Sequence, residues 1–413
     1  MRLFFLSVFT ILLSCSGPKD NKTTSPETDI SIRNGDWRFS LQLENHELPF
    51  NVKFENIGTQ NAIAVICNGN EELTSTFFNI SENNIRIVLP VFDSELIGTI
   101  ESENLITGYW LNNSRKNYKI PFVAEYGKTF RFSPSQSEQK LPSKYHVIFE
   151  PDTPDKWDAI LILNQDSAKT TGTFLTETGD YRYLEGNIIN NKLYLSTFDG
   201  SHAFLFQADI KGDSLINGQF ISGKHYSAQW SGKADTEFQL RRPQELTYLK
   251  EGYHHFDFNL PNQDGDTVTW DDMNLNNKVV VVDIMGSWCP NCMDANIALK
   301  ELTADYTPED LVVLPIAFET TNNLEEAKAR VFKMQDDLGI DNRFLFGGFV
   351  SKQKAALAFP MLNHVMSYPT LIFIGKDREI KQIYTGFYGP GTGKYHEEFM
   401  LNTSKLLEKM VNE

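Results

Sequence analysis

The chain has 413 residues, enough for two or three domains with cores of their own. Its 38 basic residues against 54 acidic ones leave a net charge of −16, which excludes a nucleic-acid binder that works by clustered Lys and Arg. An apolar content of 41% excludes a disordered polymer, and four cysteines are too few for a disulfide-dense scaffold.

Met1-Arg2 gives a short basic start, and residues 3–13 are apolar but for Ser7 and Thr10. That run is shorter than the ~18 residues of a spanning helix and has the length of a signal-peptide core. It ends in Leu12-Leu13-Ser14-Cys15, which resembles the bacterial lipobox, whose cysteine becomes the lipidated first residue after cleavage. Residues 1–15 therefore read as a lipoprotein signal peptide with Cys15 as the lipidation site. The alternative is an ordinary secretory signal with an incidental cysteine. Residues 16–32 read as a polar tether, in which Lys19-Asp20 loosely resembles a surface-export signal of Bacteroidetes lipoproteins. Either way the chain is expected in the cell envelope, lipid-anchored on the periplasmic face or the outer-membrane surface, where a disulfide persists.

Residues 33–242 alternate polar and apolar in short runs, as in Trp37-Arg38-Phe39-Ser40-Leu41. Turn signals such as Asn68-Gly69-Asn70 and Asp199-Gly200 separate them, so antiparallel strands are expected throughout. Residues 83–93 resemble 190–199, and 104–109 resemble 214–219, at an offset of about 106 to 110. The region reads as two tandem β units, 33–135 and 143–242, although Asn-rich hairpins also look alike by chance. No chemistry is expected here. Cys67 sits in an apolar run and reads as a buried thiol, and His46, His146, His202 and His225 lack ligand spacing. A binding or spacer role remains.

From residue 250 to 413 the pattern changes to alternating β and α, giving the order β-α-β-α-(α)-β-β-α. Residues 278–284 are an almost continuous β-branched run, the mark of a strand buried on both faces. Pro290 fits the first turn of a helix and Gly339 the end of another. Between strand and helix stands Trp288-Cys289-Pro290-Asn291-Cys292. Two cysteines three apart at a helix N-terminus can close a small disulfide ring. The first thiol is expected to be exposed beyond the first turn, where free N–H groups and the helix dipole favour its thiolate. Half of a zinc knuckle is the other reading, but no further Cys or His ligands lie near, and no metal is expected.

Residues 280–292 resemble the active-site strand, loop and helix start of thioredoxins, and within them the extracytoplasmic TlpA/ResA-like disulfide reductases of the AhpC/TSA type. The resemblance covers about residues 253–413, with Tyr368-Pro369-Thr370 matching the family's cis-proline loop. It implies an α/β thioredoxin-like domain after the all-β region and a redox-active Cys289–Cys292 disulfide as the only redox group, with no other cofactor. Cys289 would attack and Cys292 resolve. Pro369 would face the disulfide, with Trp288 and the Tyr368 backbone meeting substrate. Asp283, six residues before Cys289, matches a buried acid that moves a proton for the second cysteine; a solvent-facing carboxylate at a strand end is the alternative. Many TlpA-like reductases have a Glu three residues after the second cysteine, where this chain has Ala295 beside Asp294.

The implied function is a thiol–disulfide oxidoreductase acting on protein thiols and disulfides of the envelope. It implies an electron donor or acceptor not yet identified and a membrane partner only through the lipid anchor. A peroxiredoxin-like antioxidant enzyme shares the fold, but needs Thr or Ser three residues before the nucleophile and a Pro upstream, where this chain has Gly286 and Val282. The remaining reading is a non-catalytic surface lipoprotein that binds a ligand.

Overall fold

The computed structural model describes residues 32–413 except 76, 77, 136, 167 and 168. Cys15, the signal segment and most of the tether lie outside the described residues.

The alternating runs form strands as expected. The first sheet begins with β1 (Gly35–Gln42), β2 (Glu47–Glu55), β3 (Ile63–Asn68), β4 (Glu71–Ser75) and β5 (Phe78–Ser81). It is completed by β6 (Asn84–Val88), β7 (Ser94–Ser102), β8 (Leu105–Asn112) and β9 (Lys119–Tyr126). The strands lie in the order β4-β3-β2-β1-β9-β8-β7-β6-β5.

The second sheet opens with β10 (Lys144–Phe149), β11 (Trp157–Gln165), β12 (Thr170–Thr176) and β13 (Gly179–Asp180). It continues through β14 (Leu184–Ile189), β15 (Lys192–Phe198), β16 (Ala203–Lys211), β17 (Ser214–Ser222) and β18 (Tyr226–Ala234). β11 pairs with both β10 and β12, and β12 also pairs with β14, so the sheet closes on itself and loses its open edges. The pairings of β1 with β2 and β9 recur nine strands later as those of β10 with β11 and β18. The similar sequence segments fall on equivalent strands, β6 with β15 and β8 with β17.

The two sheets share apolar packing. Phe198 at the end of β15 stacks on Phe50 of β2 at 4.1 Å between centroids and meets Trp110 of β8 edge-on at 5.1 Å. Inward-facing Trp37, Phe39 and Leu41 of β1 are fully buried in the same cluster, as period-two alternation requires.

The C-terminal domain starts with a small hairpin, β19 (Asn259–Pro261) and β20 (Thr267–Thr269). Then follow β21 (Val279–Met285), α1 (Pro290–Thr303), β22 (Leu311–Glu319) and α2 (Leu324–Leu338). β23 (Leu345–Phe349), α3 (Lys352–Ala358), β24 (Thr370–Ile374), β25 (Ile380–Thr385) and α4 (Lys394–Asn412) complete it. The sheet order is β23-β22-β21-β24-β25, with β21, β22 and β23 parallel and β24 and β25 antiparallel. This is the thioredoxin-like α/β domain that the resemblance implied. β21 is central and every residue of it is buried. Gly339 takes φ +61° to end α2.

Three strands stand outside the expected order, the β19–β20 hairpin and β23. β23 reads poorly in sequence because Gly347-Gly348 interrupts its apolar run. Packing explains the first glycine: a Cβ at Gly347 would lie 2.2 Å from the Phe318 ring. Gly347→Val is expected to destabilise the domain by about 1–3 kcal/mol through overpacking, lowering its denaturant midpoint in the full chain; an unchanged midpoint would refute the packing account.

Candidate functional site

The buried strand β21 delivers its C-terminal end to a tight loop, Gly286-Ser287-Trp288, before α1 begins at Pro290. Cys289 is the N-cap of α1, and its Sγ accepts the Cys292 N–H at 3.3 Å at the helix start. The same Sγ donates to the Tyr368 carbonyl at 3.4 Å. The Tyr368-Pro369 peptide is cis, and Gly386 N donates to the Pro369 carbonyl at 2.9 Å. The Trp288 indole donates to the Phe318 carbonyl at 2.9 Å and meets the Tyr368 ring edge-on at 5.8 Å. Cys289 and Cys292 are both free thiols here. The structure thus brings Cys289, Cys292, Trp288, Tyr368 and Pro369 together.

Asp283 lies behind Cys292 and is completely buried, which rules out the solvent-facing alternative. Burial pushes its carboxyl from 3.8 up to about 7, opposed by a hydrogen bond from Asn296. Asn296 Nδ2 donates both to Asp283 Oδ2 and to the Cys292 carbonyl, each at 2.9 Å. Asp283 Oδ1 has no hydrogen-bond partner among the described residues. Burial first, then the Cys289 sulfur and the Asp283 charge, push the Cys292 thiol well above its usual range. A thiol reluctant to ionise therefore stands beside an acid that can exchange a proton near neutrality.

Sequence reasoning missed Glu319. It ends β22 and holds the loop before Cys289, accepting from Ser287 N and from Ser287 Oγ, both at 2.8 Å. Burial lifts it to about 7 against these two bonds. Its signal was an acid closing an apolar strand at the C-terminal edge of a parallel sheet, where α/β sites form.

The larger correction concerns access. The sequence leaves the first thiol exposed, whereas Cys289 is only 6% accessible and Cys292 not at all. The β region, expected to carry no chemistry, covers the site. Ser201 Oγ donates to the Trp288 carbonyl at 2.6 Å, and Ser367 Oγ to the Thr178 carbonyl at 2.6 Å. Asn291 Nδ2 donates to the Asp180 carbonyl at 3.3 Å. Arg182 Nη1 donates to the Pro290 carbonyl at 3.0 Å, inside the CxxC segment itself. Arg182 also pairs with Asp294 of α1, with Glu71 of the first sheet and, at 3.5 Å, with Asp199 of the second. Asp294, next to the position where a Glu was expected, therefore serves this ion cluster. Burial raises Asp180, which accepts from Gly389 N and Arg182 N, to about 7.

Asp283→Asn carries two expectations. Its folded value lies above its unfolded one, so its contribution to stability is complete below about 3.8 and is lost as pH rises through about 7. The variant should lack that slope and gain on the order of a few kcal/mol relative to the unsubstituted chain above pH 7, read by denaturation at several pH values. Single-turnover kinetics should show resolution by Cys292 slowed more than attack by Cys289; equal rates would leave Asp283 a purely structural group.

Residues 252–383 match the AhpC/TSA family. This span holds Asp283, Cys289, Cys292, Glu319 and Pro369, and the two β sheets lie outside it. A search of curated proteins found no match. Among solved structures, the chain is similar to a thiol-disulfide oxidoreductase from Bacteroides fragilis, with 18% identity, 36% of this chain and 99% of that chain covered, and a TM-score of 0.27. It is also similar to a thioredoxin-family thiol:disulfide interchange protein from Chlorobium tepidum (12% identity, 39% and 98% covered, TM-score 0.29). A third is a thiol-disulfide isomerase from Corynebacterium glutamicum (15% identity, 40% and 99% covered, TM-score 0.29).

Proposed function

We propose that this chain is a thiol–disulfide oxidoreductase that reduces disulfides of cell-envelope proteins through Cys289 and Cys292. The observation that carries the reading is the local geometry. The Cys289 sulfur caps α1 and faces the Tyr368 carbonyl beside Pro369, with Cys292 and the buried Asp283 behind it.

The reaction runs in two exchanges. The Cys289 thiolate attacks one sulfur of a substrate disulfide, that S–S bond breaks, and the departing sulfur leaves as a thiolate that takes a proton from water. A mixed disulfide remains. The Cys292 thiol gives its proton to the Asp283 carboxylate and attacks the Cys289 sulfur, releasing the second substrate thiolate, which is protonated in turn. Two electrons have passed to the substrate, and the chain is left with a Cys289–Cys292 disulfide. A dithiol donor must reduce it for another turnover, and no cofactor beyond the cysteine pair enters. Asn296 orients the Asp283 carboxyl, and Glu319 fixes the loop that carries Trp288.

The lipobox-like segment supports anchoring through Cys15 on the extracytoplasmic side. Among the described residues no helix is long and apolar enough to cross a membrane. The peroxiredoxin alternative lacks its Thr or Ser and its Pro, since Gly286 and Val282 hold those positions.

In the full chain with dithiothreitol as donor, insulin disulfides should be reduced and peroxide should not be consumed. Cys289→Ser should abolish insulin reduction, and Cys292→Ser should accumulate a covalent mixed disulfide that a reductant releases. Peroxide consumption without insulin reduction would replace the reading with the antioxidant one.

A further inference from the structure

The residues that close the redox site come partly from one short loop, 89–93, between β6 and β7. Its sequence is Leu89-Pro90-Val91-Phe92-Asp93. Val91 and Phe92 are buried at 4% and 2% exposure in the apolar cluster that contains Cys289, Cys292, Met285 and Met293, with Trp288 and Tyr368 packed against it. Among the described residues no other residue of the first β unit belongs to the buried part of that cluster, and Leu73 of β4 packs against it. The loop is clamped at both ends by α2. Lys333 Nζ donates to the Leu89 carbonyl at 3.0 Å, Val91 N donates to Asp337 Oδ2 at 2.8 Å, and Arg330 Nε pairs with Asp93 Oδ2 at 3.2 Å. Val91 is held at φ +65°, a left-handed conformation that a β-branched residue avoids unless its surroundings impose it.

Thiol–disulfide exchange requires a second sulfur to reach the Cys289 sulfur. Cys289 is only 6% exposed, and Val91 and Phe92 share its buried apolar cluster, so a polypeptide disulfide needs this cover to move before it reaches the sulfur. What the loop shows in place is the chemistry the groove accepts: a branched aliphatic residue followed by an aromatic one, with polar anchoring at the ends. The loop joins two neighbouring strands, and none of its residues belongs to the Arg182 cluster that ties the β units to α1; Leu89 anchors its start in the first-sheet core, while Val91 and Phe92 reach the cysteine cluster.

We propose that loop 89–93 is a built-in occupant of the substrate groove at Cys289, displaced by polypeptides that present a bulky apolar or aromatic residue beside their cysteine. The proposal rests on the oxidoreductase reading and names its substrate class and its control. The loop closes the dithiol to solvent and to polar disulfides. An apolar substrate segment competes for the same cluster, so binding and opening are one equilibrium, shifted by the difference in affinity for the open and closed forms.

Two measurements on the reduced full chain test it. Iodoacetamide labelling of Cys289, read by peptide mass, follows loop opening. Phe92→Ala should speed labelling roughly tenfold or more through the lost apolar contact. Asp93→Lys, at the partly exposed rim of the loop, should also speed it, and combining it with Arg330→Glu should restore the original rate. The second measurement is reduction of two pentapeptides carried as glutathione mixed disulfides, one with Val-Phe and one with Gly-Gly before the cysteine. The Val-Phe peptide should show the higher kcat/KM, by roughly tenfold, since one well-buried aromatic residue is worth at least that factor. Unchanged labelling in variants that keep the native circular dichroism, a double charge reversal that fails to restore the rate, or equal kcat/KM for the two peptides would each overturn the proposal. If labelling follows the variants as expected but no chain exchanges with either peptide, the covering loop stands and the oxidoreductase reading falls.

Discussion

The placement of the β region depends on one buried cation. Arg182 is almost fully enclosed, and three carboxylates from three parts of the chain face it: Glu71 from the first sheet, Asp199 from the second and Asp294 from the redox helix. A buried charge is tolerable only when its partners are present, and removing partners leaves the rest uncompensated. Burial pushes Glu71 and Asp294 upward, with the guanidinium opposing. For Asp199 the burial effect is outweighed by His202 and Arg182, and its carboxyl is held below the usual range. The neighbouring acids hold Arg182 itself well above its ordinary value against burial. The three bodies are thus fastened to one another at the N-terminal end of α1, beside the two cysteines.

That fastening buries the cysteine site and the acids around it. Asp283, Glu319 and Asp180 all sit near 7 for the same first cause, the loss of water around the charged form. Each has a different counterweight: Asn296 for Asp283, the Ser287 N–H and hydroxyl for Glu319, and the Gly389 and Arg182 backbone N–H groups for Asp180. Acids so placed exchange protons in the range where thiol chemistry operates, and the β region contributes to this by excluding solvent from the face that carries the cysteines.

The covering elements have distinct duties. Arg182 and Ser201 donate to the Pro290 and Trp288 carbonyls of the CxxC segment, and the Asp180 and Thr178 carbonyls of the 176–182 hairpin accept from the Asn291 and Ser367 side chains. Glycine is needed where they come closest: a Cβ on Gly179 would lie 2.5 Å from the Asn291 side-chain nitrogen, and one on Gly386 would lie 2.7 Å from the Thr178 backbone. Loop 89–93 instead lays side chains into the apolar cluster. Backbone contact fixes position, whereas apolar contact can be matched by another chain.

The sequence by itself determined the local patterns. Period two gave the β region, a β-branched run gave the central strand β21, and Pro290 and Gly339 marked helix ends, because these signals act within a few residues of chain. The CxxC spacing and the Tyr368-Pro369 pair singled out residues that the fold brings together, because a helix start and a loop are written in adjacent residues. Asp283 was legible through its register with Cys289, although only the fold showed it buried. Glu319 and β23 were lost because their meaning lies in neighbours, Ser287 for one and the Phe318 ring beside Gly347 for the other. The covering of Cys289 was wholly tertiary. Arg182 stands 112 residues before Asp294, and Phe92 lies in a strand connection with no motif of its own. Burial, charge pairing and access depend on which distant surfaces meet, and no periodicity or spacing along the chain encodes that meeting.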